Sequence, residues 1–215
     1  MKSILLIGLG RLGTNLAKEL SDLGHEVMAV DCNEERVNKV MPYVTNGQIG
    51  NSIDPEFLES LGINNFDICV VTMHSNFQNS LETTSQLKDM GAKVVISRAE
   101  SDIHEKFLLK NGADKVIYPE SQVAKWTAIR YTSDEIVNYI ELDNEYSIFE
   151  VAIPKEWAGK RVDEVHIRKK YNINILAIKT GDAMNMDIKP DVVFEENDVV
   201  VVLGTLKLVK KCFKF

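Results

Sequence analysis

Residues 3–17, Ser-Ile-Leu-Leu-Ile-Gly-Leu-Gly-Arg-Leu-Gly-Thr-Asn-Leu-Ala, run an apolar strand directly into a Gly-x-Gly-x-x-Gly turn and on into a helical pattern. This stretch narrows the possible folds more than any other, because each glycine has its own backbone task in a strand-turn-helix unit. Gly8 permits the tight turn, Gly10 lets the backbone approach a pyrophosphate where a Cβ would intrude, and Gly13 lets helix pack closely on strand. The helix that follows offers unpaired N–H groups and a partial positive charge, which suit an anion. The next apolar run, Glu26-Val-Met-Ala-Val-Asp31, ends in a carboxylate at the place where a ribose diol is normally held. Glycines and carboxylate together outweigh the reading in which the glycines serve only a turn.

The rest of the first half repeats the alternation. Asn33 to Met41 reads as helix, Val44 to Ile49 as extended, Pro55 to Leu61 as helix, and Asp67 to Thr72 as a strand. Ser75 to Met90 is again helical, Lys93 to Ser97 a strand, Asp102 to Asn111 a helix and Lys115 to Tyr118 a short strand. Near-continuous apolar strands separated by amphipathic helices predict a parallel sheet covered on both faces, so residues 1–119 form a doubly wound, Rossmann-type α/β domain. Gly24, Gly62, Gly91 and Gly112 each follow a helical stretch and read as left-handed helix ends. From 120 to 140 the spacing of Val123, Trp126, Ile129, Ile136 and Ile140 predicts one longer helix, packed on its own domain or serving as a crossover or dimerisation helix. Residues 141–215 form a small α+β module: strands at Tyr146 to Ile153, Ile173 to Ile178 and Val199 to Leu203, a basic helix at Arg161 to Tyr171 and a terminal helix at Leu206 to Cys212. A module of that size gains burial by self-association.

Bulk properties exclude several classes of function. A chain of 215 residues that is 45% hydrophobic is long enough for packed cores, and its formal net charge of −7 gives no general electrostatic attraction to nucleic acid or an anionic membrane. No apolar run approaches the roughly 20 residues that cross a bilayer, and Met1 leads straight into a strand, so a cytosolic location is expected. Cys32, Cys69 and Cys212 are odd in number and widely spaced, which argues against a disulfide framework or a zinc site.

Catalytic machinery is not evident. A dehydrogenase needs an acid or base near the nicotinamide and a substrate pocket as well as a cofactor fold. His25, His104 and His166 lie in separate elements and read as surface residues. His74 follows the fourth strand at the edge where open α/β sheets bind ligands, and it is a candidate pocket residue. A small NAD(P)-dependent oxidoreductase and a plain interaction module therefore stand as alternatives to a ligand sensor.

Longer motifs carry a more specific signal. Ile7-Gly-Leu-Gly-Arg-Leu-Gly13, Val30-Asp-Cys-Asn-Glu-Glu35, Gly50-Asn-Ser52, Gly112-Ala-Asp-Lys-Val-Ile-Tyr-Pro-Glu120 and, in the tail, Ile167-Arg168 with Asn174-Ile-Leu-Ala-Ile-Lys179 resemble the cytosolic regulatory subunits of Trk/Ktr-type potassium uptake systems, built from the RCK (regulator of potassium conductance) domain. The resemblance spans nearly the whole chain. It implies an N-terminal domain that binds ATP/ADP or NAD(H), a homodimer that assembles into an octameric ring, and a membrane-embedded potassium-translocating partner at the inner face of the cell membrane.

By the same resemblance, Gly8, Gly10, Arg11, Leu12 and Gly13 surround the phosphates, and Arg11 is suited to reach a terminal one. Asp31, with Cys32 and Asn33 beside it, holds the ribose, while Asn51 and Ser52 sit near the adenine. Thr72, Met73, His74 and Asn76 close over the ligand. Arg98 is a second phosphate-side cation, although a surface arginine would read the same way. Glu120 corresponds to a carboxylate that in some members helps hold a divalent cation, Mg or Ca, between paired subunits. One carboxylate is a poor site alone, because hard cations take several oxygens; a helix N-terminal acid is the plainer reading. The tail resembles a module that in certain bacterial members binds cyclic di-AMP, which places Val162, Arg168 and Pro190 at the corresponding positions. Read from their residue types alone, those three are core, solvated helix and loop. Asp31 suits any unphosphorylated ribose diol and argues against NADP.

Overall fold

The computed structural model describes residues 1–73, 76–143 and 145–214. The chain divides into two compact units, Met1–Ser121 and Gln122–Phe215.

In the first unit the order is β1 (Ser3–Ile7), α1 (Arg11–Asp22), β2 (Glu26–Asp31), α2 (Glu34–Val40), β3 (Asn46–Ile49), α3 (Pro55–Ser60), β4 (Ile68–Val71), α4 (Phe77–Asp89), β5 (Val95–Arg98), α5 (Asp102–Lys110) and β6 (Lys115–Ile117), after which α6 (Pro119–Tyr131) leads out of it. Among the described residues the strands form one six-stranded parallel sheet in the order β3-β2-β1-β4-β5-β6. This is the doubly wound Rossmann arrangement, in which the strand order reverses between β1 and β4.

The apolar run of β1 explains its central place. Leu5 and Ile7 enter the core on one face with Leu58, Val71 and Leu87, whereas Ile4 and Leu6 enter the core on the other with Ala17, Val27 and Val37. Successive side chains of a strand point to opposite faces, so only a strand covered on both sides can use an unbroken Ile-Leu-Leu-Ile. Burial of one such side chain contributes about 1.5–3 kcal/mol. The four glycines expected at helix ends all have positive φ, between 69° and 104°.

The second unit contains β7 (Ile136–Glu141), β8 (Tyr146–Ala152), α7 (Val162–Val165), α8 (Ile167–Tyr171), β9 (Asn174–Thr180), β10 (Ala183–Asn185), β11 (Val199–Thr205) and α9 (Leu206–Phe213). Its described strands form an antiparallel sheet in the order β10-β9-β11-β8-β7. Buried and half-exposed residues alternate along β8 and β11, as expected of a sheet with one face on the core. On that face Trp157 packs its ring 5.5 Å from that of Phe194 and 5.3 Å from that of Phe213 in α9.

Three local expectations are corrected. The helix read over 120–140 ends at Tyr131, and residues 136–141 are β7, paired with β8. Ile136 and Ile140 are four apart, a separation that fits a helical period and a strand period alike. The β-branched run Ile-Val and the half-buried environment decide for strand, and Arg130 Nη1 fastens the turn by donating to the Ile136 carbonyl at 2.8 Å. The helix read over Arg161–Tyr171 is broken at His166, which adopts left-handed φ 53° between α7 and α8. His104, read as a surface residue, is 1% exposed. It lies on the inward face of α5 with Leu108 and packs its ring 4.5 Å from Phe77.

Candidate functional site

The C-terminal ends of β1, β2 and β4 open onto a cleft of about 190 Å³, at the place where the strand order reverses. Its walls are built by the local sequence. Gly8 has φ +92°, and a Cβ on it would meet the Met73 backbone nitrogen at 2.9 Å. At Gly13 a Cβ would lie 2.0 Å from the Gly8 carbonyl oxygen and 2.8 Å from Thr72 Oγ1, so helix and strand approach too closely for any side chain. Thr72 fixes the same turn: its hydroxyl donates to the carbonyls of Ile7 and Gly8.

Gly10 behaves differently. A Cβ placed on it would meet nothing among the described residues within 4 Å, and its φ of −68° is open to any residue. Nothing among the described residues requires a glycine here, so the missing side chain leaves room for an occupant. The neighbouring helix end agrees. Gly10 is the N-cap of α1 and supplies no side-chain hydrogen bond, whereas α2, α3, α4 and α5 are capped by Asn33, Asp54, Asn76 and Ser101. The first N–H groups of α1 are thus available for an anion.

Asp31 closes the other side. It is 7% exposed, and both carboxylate oxygens are held: Oδ2 accepts from Leu9 N at 2.7 Å and Oδ1 from Asn33 N at 2.9 Å. The Cys32 thiol also donates to Oδ1 at 3.7 Å; a carboxylate has about four acceptor positions, so one position remains and a ribose hydroxyl can displace this weak thiol contact for the second. Ser52, 5% exposed, shares a 3.0 Å hydrogen bond with Thr83 Oγ1; its hydroxyl supports the wall.

Of the residues expected to form the site, Gly8, Gly10, Asp31, Cys32, Asn51, Ser52, Thr72, Met73 and Asn76 line the cleft, joined by Ile7, Val30, Arg36, Gly50 and Asn79. Arg11, Leu12, Gly13, Asn33, Arg98 and Glu120 do not line it. Arg11 is exposed at the start of α1, Gly13 acts through packing, and Asn33 caps α2 by accepting from Arg36 N at 3.1 Å. His74 lies outside the described residues. Arg98 is 8% exposed and its guanidinium is paired with Glu120 at the start of α6, while its Nε is buried without a hydrogen-bond partner among the described residues. No group of three or more His, Cys, Asp or Glu placed to hold a metal exists among the described residues. A cation at Glu120 would need several oxygens beyond those of this one carboxylate.

Arg36 is the residue that sequence reasoning missed, and it is the one cation among the described residues that line the cleft. Its Nη1 lies 3.6 Å from Asp31 Oδ2, with a side chain 56% exposed against 5% for Asp31. The signal was present: once Asn33 is recognised as an N-cap, Arg36 falls in the first turn of α2, beside the end of β2.

In the second unit, the Asp163 N–H donates to the Pro190 carbonyl at 3.1 Å and the Val162 N–H to the Val192 carbonyl at 2.9 Å, so Val162 and Pro190 lie on adjoining segments. Arg168 is exposed on α8, and Val162 packs against the core.

A Rossmann sheet with an open glycine cradle and a buried, backbone-anchored carboxylate, followed by a small antiparallel α+β unit, defines a class of two-part nucleotide-fold proteins. Comparison with known proteins narrows the class. Residues 4–119 match the family model of the TrkA-N domain and residues 147–215 that of the TrkA-C domain. The chain is 38% identical over 205 residues to the Ktr system potassium uptake protein C of Bacillus subtilis, covering 95% of this chain and 93% of that one. It is 37% identical over 210 residues to the Ktr system potassium uptake protein A of the same organism, covering 98% and 95%. The chain belongs to the TrkA/Ktr family of potassium uptake proteins. Among solved structures, the GsuK channel bound to NAD shares its fold at a TM-score of 0.69 and 17% identity, over 98% of this chain and 38% of that one.

Proposed function

We propose that the chain is the nucleotide-sensing regulatory subunit of a potassium uptake system, in which occupancy of the first unit's cleft by ATP/ADP or NAD(H) controls a membrane-embedded potassium-translocating subunit. The observation that carries this reading is the pairing of an open Gly10 position beside the uncapped α1 terminus with the anchored carboxylate of Asp31. One end suits phosphate and the other a ribose diol. Membership in the family of Ktr potassium uptake proteins supports the transport role, and the NAD-bound state of a fold neighbour supports the ligand class.

In this reading the protein performs no chemistry of its own. It acts as a homodimer built into an octameric ring, in the cytoplasm at the inner face of the membrane, with α6 as the crossover helix. A ligand shifts such an assembly only by binding one arrangement better than the other. Arg11, exposed at the head of α1, reaches a terminal phosphate and separates ATP from ADP. Glu120 contributes to a Mg or Ca site completed by phosphate oxygens or a second copy. Val162, Arg168 and Pro190 belong to a second ligand position for cyclic di-AMP.

Isothermal titration of the full chain with ATP, ADP, NAD and NADH, with and without Mg or Ca, tests the reading. Saturable binding that is lost in Asp31→Ala is expected. No binding of any of the four by a folded protein would remove the cleft as a nucleotide site.

A further inference from the structure

We propose that Arg36 is the stacking platform for the purine base of the bound nucleotide, and so the residue that gives the cleft affinity for purine over pyrimidine nucleotides. This rests on the nucleotide reading of the cleft and names a base-recognition element within it.

The direction of the ligand follows from the two ends already described. Phosphates sit at Gly10 and the α1 terminus, and the ribose sits at Asp31, so the base lies beyond Asp31 as seen from Gly10. Arg36 is the charged side chain beside it. Its Nη1 is 3.6 Å from the Asp31 carboxylate that receives the ribose, so a group carried on the next carbon of that ribose passes over the guanidinium.

The pairing is loose in a way that suits this task. At 3.6 Å the contact is too long for a good hydrogen bond, and Asp31 satisfies its oxygens from the backbone of Leu9 and Asn33 instead. Asp31 therefore holds the guanidinium nearby by charge without consuming its donors or locking its plane. The backbone of Arg36 is fixed separately, by the Asn33 cap. A planar cation whose stem is anchored and whose head is 56% exposed at the cleft can lie flat against an aromatic ring, an interaction that lysine's compact ammonium does not reproduce.

ATP, ADP and NAD carry the same adenosine, so Arg36 acts on all three alike. This separates it from Arg11, whose proposed role distinguishes terminal phosphates. The experiment is titration of wild type, Arg36→Ala and Arg36→Lys with ADP, ATP, NAD and CDP, with circular dichroism as a check on folding. Arg36→Ala is expected to weaken ADP, ATP and NAD by a common factor of about 3 to 30, weaken CDP by a clearly smaller factor because its single ring overlaps the guanidinium less, and keep the ATP/ADP ratio of wild type. Arg36→Lys should lose most of the same affinity. Full affinity in Arg36→Lys would make the role one of charge alone, and equal weakening of CDP and ADP would place it on the ribose or phosphate; either result overturns the proposal. If wild type binds ADP and Arg36→Ala binds it equally well, the base platform fails while the nucleotide site stands. If wild type binds none of the nucleotides, both fall.

Discussion

Substituting alanine for Gly10 and for Gly13 separates a glycine kept for a ligand from one kept for the fold. At Gly13 the new methyl would stand 2.0 Å from the Gly8 carbonyl oxygen and 2.8 Å from Thr72 Oγ1. The first partner is backbone in the turn that Thr72 pins, so it cannot rotate away and α1 must shift off β1. Overpacking costs about 1–3 kcal/mol when a core can adjust, and this site lies at or beyond the upper end. At about 2–4 °C per kcal/mol for a chain of this size, Gly13→Ala should lower the melting midpoint of the first unit by roughly 6–12 °C. At Gly10 the methyl meets nothing among the described residues within 4 Å and φ is already −68°. Alanine restricts the unfolded chain, worth about 0.4–1 kcal/mol in its favour, and is a poorer N-cap than glycine by a comparable amount, so the midpoint should stay within about 3 °C of wild type. Binding should move the opposite way, with Gly10→Ala weakening ADP at least about 10-fold, or 1.4 kcal/mol, because its methyl occupies the phosphate cradle. Thermal melts of the free proteins and titration with ADP give both readouts. A Gly10→Ala protein that melts as low as Gly13→Ala, or that binds ADP like wild type, would refute the assignment of Gly10 to the ligand.

Three further outcomes are expected. Cys32 is exposed in the cleft, whereas burial pushes the Cys69 and Cys212 thiols up to about 12. A thiol reagent at pH 8 should titrate one fast cysteine, and saturating ADP should slow it; three fast thiols, or no protection, would contradict the placement. Because the folded values of the two buried thiols exceed the unfolded value of about 8.5, their contribution to stability is complete below that pH. It declines as pH rises toward 12, by up to about 1.4 kcal/mol per pH unit for each thiol, with Cys69 weakening the first unit and Cys212 the second. Finally, α6 leaves Val123 61% and Trp126 38% exposed. The double substitution Val123→Glu and Trp126→Glu should leave each unit folded and shift the mass measured by light scattering toward the monomer. An unchanged mass would remove α6 from the self-association surface.

What sequence pattern revealed depended on whether a residue's task was local. Gly8 and Gly13 sit within one strand-turn-helix unit, so spacing alone assigned their turn and packing roles and placed Asp31 at the end of the strand beside it, and the unbroken apolar run of β1 announced a sheet covered on both faces. β7 was hidden because Ile136 and Ile140 satisfy two periods at once, and the choice was made by β8, which pairs with it from further along the chain. β10, three exposed residues, carries no burial signal for a pattern to register. The left-handed break at His166 escaped because the segments on both sides of it, Val162–Val165 and Ile167–Tyr171, are each helical, so the pattern reads as one continuous helix.

The cations of the site show the same limit in sharper form. Arg11 lies inside the glycine motif and Arg98 ends a strand at the ligand edge, so sequence position favoured both as phosphate partners. In the fold, Arg11 points its charge from an exposed helix start, and Arg98 is buried against Glu120. The cleft instead draws its charge from Arg36, five positions after Asp31, because the Asn33 cap starts α2 at Glu34 and brings the first helical turn back toward the end of β2. On the proposed reading, the positive charge thus stands at the nucleoside end, and the phosphate end relies on backbone N–H groups. Such a cleft would meet the nucleoside through side chains and phosphate through the main chain. On that reading, discrimination between nucleotides of different phosphate length would come from a residue that does not line the cleft, such as Arg11, moving in when the ligand arrives, and a ligand-dependent movement of that kind is what a sensor requires.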